Sequence, residues 1–194
     1  MPTIGLDSIY YSKITDGETG ETYAAPAKLA RATKADLSVE FAEGTLYADD
    51  ALCESVEEFK SAKLKIGVDD LKASVVADVT GATVDENGVL VHNSEDSAPY
   101  VAVGFRAKKS NGKYRYFWLY RGKFGVPSDN LETKGNSVKF AEKSIEGTFM
   151  RREKAVDNKH TWKTQVDEDD PGVAAATITG WFTTVYEPNY TTTP

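Results

Sequence analysis

"KKSNGKYRYFWLYRGKF", residues 108–124, is the stretch on which the fold turns. Asn111-Gly112 suits a two-residue hairpin turn, which needs positive φ at its central residues. After the turn, an extended chain puts Tyr114, Tyr116, Trp118 and Tyr120 on one face and Arg115, Phe117, Leu119 and Arg121 on the other. Together with the preceding "PYVAVGFRA", the stretch predicts two long antiparallel strands. A strand apolar on both faces is ordinarily covered on both, and a small antiparallel domain seldom does this alone. One face is therefore expected on the core and the other against a second molecule. Aromatic side chains and Arg are the residues enriched where proteins meet. The competing reading is single-stranded nucleic acid, with bases stacked on the rings and phosphates held by the basic residues.

Composition weighs against that competitor. The chain has 194 residues, 40% apolar and 27% charged, with a formal net charge of −7. An acidic chain has little general affinity for phosphates, whereas this apolar content supports a packed core. The length favours one domain. Cys53 is the single cysteine, so no internal disulfide is possible and the fold stands on its core, as is usual in a reducing cytoplasm. The first residues, "MPTIGLDSIYYSKIT", carry neither a basic segment nor an apolar run, and no signal peptide is expected. No window approaches 18 apolar residues, so no membrane-spanning helix is expected.

Working outward, strand signals dominate. "LSVEF" (37–41) and "KLKIGV" (63–68) alternate with period two. "TVDENGVLV" holds Asn87-Gly88 between apolar residues, a short hairpin. "SVKFAEKSIEGTFMRR" alternates at Val138 and Phe140, then shifts phase to Ile145, Gly147 and Phe149, which suggests a bulge. "HTWKTQV" sets Trp162, Thr164 and Val166 on one face. Two helices are predicted. In "VDDLKASVVADVTG", Val68, Leu71, Val75 and Val79 form a stripe, Asp69 or Asp70 caps the start and Gly81 ends it. In "DEDDPGVAAATITGWFTTVYEP", Asp170 caps, Pro171 takes the first helical position, and Val173, Thr177, Trp181 and Val185 recur every fourth residue. "GTLYADDALCES" (44–55) fits no element and reads as a long loop, a place where partners are often met.

Reactive chemistry is sparse. His92 and His160 lack metal-site spacing, and no nucleophile elbow or phosphate-cradling glycine loop occurs. Cys53 has no evident activating base. Asp167–Asp170 lacks the spacing of a calcium loop and reads as the acidic start of a helix. No catalytic, cofactor-binding or metal-binding residue is assigned, and an enzyme is not expected.

In order along the chain, "IGLDSIYYSKIT", "TLYADDALCES", "KLKIGVDDL", the 99–124 hairpin, "ETKGNSVKFAEKSIEGTFMRR" and "DEDDPGVAAATITGWFTTVYEP" resemble the major tail protein of long, non-contractile-tailed bacteriophages and related prophages. No one of these motifs is diagnostic; the ordered set, from about Gly5 to Pro188, carries the resemblance. It implies a mainly β fold with two helices, an antiparallel β-sandwich or partial barrel whose strands join between subunits into an inner β-barrel. Residues 1–188 then form one tail-tube domain and 189–194 a loose tail. The implied role is a virion protein assembled in the host cytoplasm. Hexameric rings stack into a tube that encloses the tape measure protein, meets tail terminator and distal tail or baseplate proteins, and lets double-stranded DNA pass. Inter-subunit contacts are then expected at Leu46, Tyr47, Asp49 and Asp50 of the long loop, at Tyr114, Tyr116 and Trp118, and at Arg151 and Arg152, candidate partners for the loop's acids. The alternatives are a ring protein of a contractile or secretion-type injection machine, and a single-strand nucleic-acid-binding β-barrel.

Overall fold

The computed structural model describes residues 1–17, 20–48, 51–129 and 143–190; within these, nothing is said of the side chains of residues 46–48 and 51–54. The strands are β1 (Thr3–Gly17), β2 (Gly20–Tyr23), β3 (Ala27–Ala30), β4 (Ala32–Ala48), β5 (Ala51–Val68), β6 (Thr83–Val84), β7 (Leu90–Val91), β8 (Val101–Lys109), β9 (Tyr114–Phe124), β10 (Lys143–Met150) and β11 (Lys163–Asp167). The helices are α1 (Ala73–Thr80) and α2 (Ala175–Gly180). Nine strands make one antiparallel sheet in the order β2-β1-β8-β9-β10-β5-β4, with β3 beside β1 and β11 beside β9; β6 and β7 form a separate hairpin. The fold is mainly β with two helices, and the sheet does not close into a barrel. No helix among the described residues is long and apolar enough to cross a membrane.

β9 is the centre of the sheet. β8 runs along one edge, from Lys108 opposite Tyr114 to Val101 opposite Gly122. The other edge is shared: β11 takes Arg115 to Leu119 and β10 takes Arg121 to Phe124. The turn before β9 falls where the sequence predicts but is not the two-residue type: only Gly112 takes positive φ, at +83°, its N–H bonds the Lys109 carbonyl, and the ladder closes where the Lys109 N–H donates to the Lys113 carbonyl at 2.7 Å. The Asn87-Gly88 turn also forms, closed by Asp85, whose Oδ1 accepts from the N–H groups of Asn87 and Val89.

Two apolar layers lie against this sheet. The larger joins Ile9, Leu64, Ile66, Val68, Val103 and Leu119 to Val76 and Val79 of α1. The second joins Ala102, Tyr116, Trp118 and Tyr120 to Trp181 and Val185 of the C-terminal segment, with Phe182 and Tyr186 partly buried beside them. Trp118 leaves no room for a side chain on the neighbouring strand: a Cβ at Gly104 would lie 2.8 Å from its ring. The second layer corrects one expectation. Both faces of β9 are covered by this chain itself, and no other molecule is needed to shield them.

The helices are shorter than their sequence patterns. Val68 ends β5 instead of opening α1, and Lys72, not Asp69 or Asp70, occupies the N-cap without a side-chain bond. Gly81 does end the helix, in the left-handed region at φ +80°. α2 has six residues, and Asp170 and Pro171 lie outside it. The acids before it are instead drawn to cations on the β8–β9 turn. Within "GTLYADDALCES", the described residues 44–48 and 51–55 are strand, not loop. They end β4 and begin β5, whose ladder continues through Thr45–Ser55, Leu46–Glu54 and Tyr47–Leu52 to Ala48–Ala51. The phase change expected between Phe140 and Ile145 lies outside the described residues; Ile145, Gly147 and Phe149 do share one buried face.

Candidate assembly surface

The β4–β5 hairpin has two parts. From Ala62 to Val68, β5 is flanked by β10 on one side and β4 on the other. Beyond Ser61, among the described residues, β5 pairs with β4 alone, from Phe41–Phe59 to Ala48–Ala51. At ~3.4 Å per residue, that arm is roughly 25–30 Å long. At its root, Phe59 stacks on Trp162 with ring centroids 4.5 Å apart. Past this point residues 41–45 and 55–58 are exposed, Phe41 at 52% and Val56 at 49%. Between Ala42 and Phe59 the sequence holds six acids, Glu43, Asp49, Asp50, Glu54, Glu57 and Glu58, and no Lys or Arg. Glu43 and Glu57 are direct cross-strand partners, so like charges face each other across the ladder. β4 also has no ladder partner on its outer edge among the described residues.

The expected contact residues distribute unevenly. Leu46 and Tyr47 are near the end of the arm by register. Asp49 and Asp50 lie outside the described residues. Tyr116 and Trp118 sit under the C-terminal segment. Phe182 approaches both rings, and the Trp118 indole N–H donates to the Trp181 carbonyl at 3.0 Å. Tyr114 is half-buried beside Tyr116, with the Arg106 guanidinium 4.2 Å from its ring centroid. These three aromatics therefore build the chain's own second layer rather than an open surface.

Lys109 and Arg115 of the opening stretch are engaged as well. Lys109, 4% exposed, reaches Asp167 at 3.0 Å and also pairs with Asp169. Arg115 grips Asp167 through Nε and, at 2.6 Å, Nη2. Asn111 donates to Asp169 at 2.7 Å. Arg115 and Lys109 together hold the Asp167 carboxyl well below the usual carboxylate range, at about 2, against the opposing effect of burial. Carboxylate oxygens of Asp167, Asp169 and Asp170 lie within 4.8 Å of one another, a candidate cation set in which two members already carry protein cations. A strand whose rings are covered offers no stacking platform to single-stranded nucleic acid.

Arg151 and Arg152 follow β10 and behave oppositely. Arg151 is exposed and has no ion pair among the described residues. Arg152 is wholly buried: Nη1 donates to Glu187 at 2.7 Å, and the guanidinium carbon stands 4.8 Å from the Tyr120 ring centroid. Burial raises the Tyr120 phenol above its ordinary pKa, and its hydroxyl donates to the Tyr186 carbonyl at 2.6 Å. Arg152 is thus a tie between the body and the C-terminal segment, not a free partner for a loop. Sequence reasoning missed Arg121, which is 3% exposed and pairs with Asp16 at 2.8 Å, with Glu21, and with Glu153 at 3.3 Å. Its acids lie more than 30 residues away or in the preceding strands, so no local spacing signals them.

No protein-family model and no curated protein matches the chain. Among solved structures it is similar to a chain of the anti-feeding prophage cap, the AFP tube terminating cap, at 7% identity and a TM-score of 0.47, over 86% of this chain and 92% of that one. It is similar to a chain of the PVC sheath-tube complex of an extracellular contractile injection system in its extended state, at 5% identity and a TM-score of 0.44, over 82% and 88%. A third likeness is to the 6-fold symmetrised AFP baseplate, at 7% identity and a TM-score of 0.41, over 86% and 96%.

Proposed function

We propose that this chain is a structural subunit of a phage tail tube: copies join in hexameric rings, the rings stack, and the tube encloses the tape measure protein and later passes the genome. The reading starts from the ordered sequence resemblance over Gly5–Pro188. The observation that carries it in three dimensions is the β4–β5 arm. An isolated two-stranded hairpin is marginal in water, and this one leaves the body with Phe41 and Val56 exposed and the outer edge of β4 unpaired among the described residues. Proteins do not ordinarily leave such an edge bare. Pairing it with neighbouring copies around a ring removes the edge and covers the arm, and strands so joined form an inner barrel. An acidic arm beside the channel repels DNA phosphates and keeps the duct from gripping its cargo. The subunit would be made in the host cytoplasm and end in the virion, with tail terminator and distal tail or baseplate proteins at the tube ends.

The same architecture serves a tube inside a contractile sheath, and a sheath gene beside this one would favour that setting. Negative-stain electron microscopy of the concentrated protein, alone and with a tail initiator, tests the core of the proposal. Long hollow tubes with six-fold rings are expected; compact monomers under every condition would overturn it.

A further inference from the structure

Where the arm leaves the body, a cavity of about 410 Å³ opens between the root of β5 and the chain that follows β10. Its lining carries Lys60, Arg121, Arg151, Arg152 and His160 against a single acid, Glu153. Not all of these charges are available. Arg121 already holds Asp16, Glu21 and Glu153, and Arg152 holds Glu187. The His160 Nδ1 faces the Arg152 carbonyl at 3.0 Å. Two cations stay accessible at the mouth. Arg151 has no ion pair among the described residues, and Lys60, with a 66% exposed side chain, stands 3.9 Å from Glu40.

The arm has the complementary deficit. Glu43, Glu57 and Glu58 are exposed, make no ion pair among the described residues, and include a like-charged cross-strand pair. In their own chain, none of them pairs with a cation of this cavity among the described residues. We propose that this cavity receives the acidic arm of a second copy, with Arg151 and Lys60 of one subunit facing Glu57 and Glu58 of its neighbour. The inference rests on the tube reading and gives it a specific contact. It also assigns the two arginines different jobs: Arg151 meets the neighbour, while Arg152 holds the cavity wall in place. Opposite charges set so fix the register between subunits and speed their encounter.

Charge reversal tests the assignment, since all four side chains are exposed and their replacement leaves the fold intact, as circular dichroism and urea unfolding would verify. Glu57→Lys with Glu58→Lys, or Lys60→Glu with Arg151→Glu, is expected to raise the protein concentration needed for tube formation by about tenfold or more. Combining all four substitutions in one chain should bring it back towards the wild-type value. Reversed variants that assemble at the wild-type concentration, or a combined variant with no recovery, would remove this contact while wild-type tubes keep the tube reading alive. A wild-type chain that never self-associates removes both. A cavity variant that assembles normally but no longer shifts a short DNA duplex that the wild type binds would also overturn the assignment, in favour of a nucleic-acid site.

Discussion

β9 and the outer half of the β4–β5 hairpin are both antiparallel strand, yet they stand at opposite extremes of burial. Along β9, seven of the eleven residues are buried, and those seven include Trp118, Tyr120 and Arg121. Along the arm, residues 41–45 and 55–58 are all exposed. β9 is held on two edges and two faces by its own chain. Among the described residues, the arm is held on one edge only. The difference separates what the polypeptide finishes alone from what it leaves open: under the proposed tube reading, body stability and assembly are encoded in different stretches, and substitutions should divide along the same line.

The largest loss of folding stability is expected in the body. Trp118→Ala empties the centre of the second layer, removes the bond to the Trp181 carbonyl and leaves space that Gly104 cannot fill. A cost of about 3–5 kcal/mol in urea unfolding is expected. A loss below about 1 kcal/mol would mean that the C-terminal segment does not seal this face. Arg121→Met comes next. It leaves Glu21, itself buried, without its guanidinium, and a cost of about 3 kcal/mol is expected by the same measurement. If Arg121→Met were neutral, the cluster would be solvated, and the contrast between body and arm weaker than drawn.

Acid gives a smaller effect. The folded Asp167 carboxyl titrates at about 2 against a usual 3.8. A depressed carboxylate contributes stability that is present above the unfolded value and is lost as pH falls through the folded one. Between about pH 4 and pH 2 the wild type should therefore lose up to about 2 kcal/mol through this group. Asp167→Asn should be less stable at neutral pH and lose less across that window; parallel pH curves for the two proteins would show that Asp167 does not clamp the β8–β9 turn.

How much of this was legible follows the range of the forces. The β8–β9 hairpin was readable because its signals are local: a turn dipeptide, then strict alternation. The short Asn87-Gly88 hairpin and the Gly81 stop are of the same kind. The C-terminal helix was over-read because an acidic run before proline, then apolar residues every fourth position, mimics a helix start. In the folded chain Lys109 and Arg115 claim the acids, and Trp181 and Val185 are placed by the rings they cover. The same hidden partnership misled the reading of β9. A two-faced apolar strand states that both faces are covered, not by what, and the cover lies some 60 residues downstream. Arg152 looked like half of an exposed basic pair, and only packing separates it from Arg151. The arm was missed for the opposite reason. A strand wet on both faces needs no alternation, and its end carries no Asn-Gly to announce a turn.

The smallest expected change in stability is at the arm, and it discriminates most sharply. Phe41→Ser with Val56→Ser alters two half-exposed side chains outside both apolar layers. Folding stability should move by no more than about 0.5 kcal/mol, the range of ordinary surface positions. Shortening the hairpin to a tight turn between Ala42 and Glu58, which already face each other, should be comparably mild, since the described residues it removes, 43–45 and 55–57, are exposed. Both changes should nevertheless abolish tubes in electron micrographs while leaving a folded monomer by size-exclusion chromatography. Tubes from the shortened protein would place the connection elsewhere on the chain. Unfolding of the shortened protein would show that the arm braces its own body, and the division between a finished core and an open edge would fail at its clearest point.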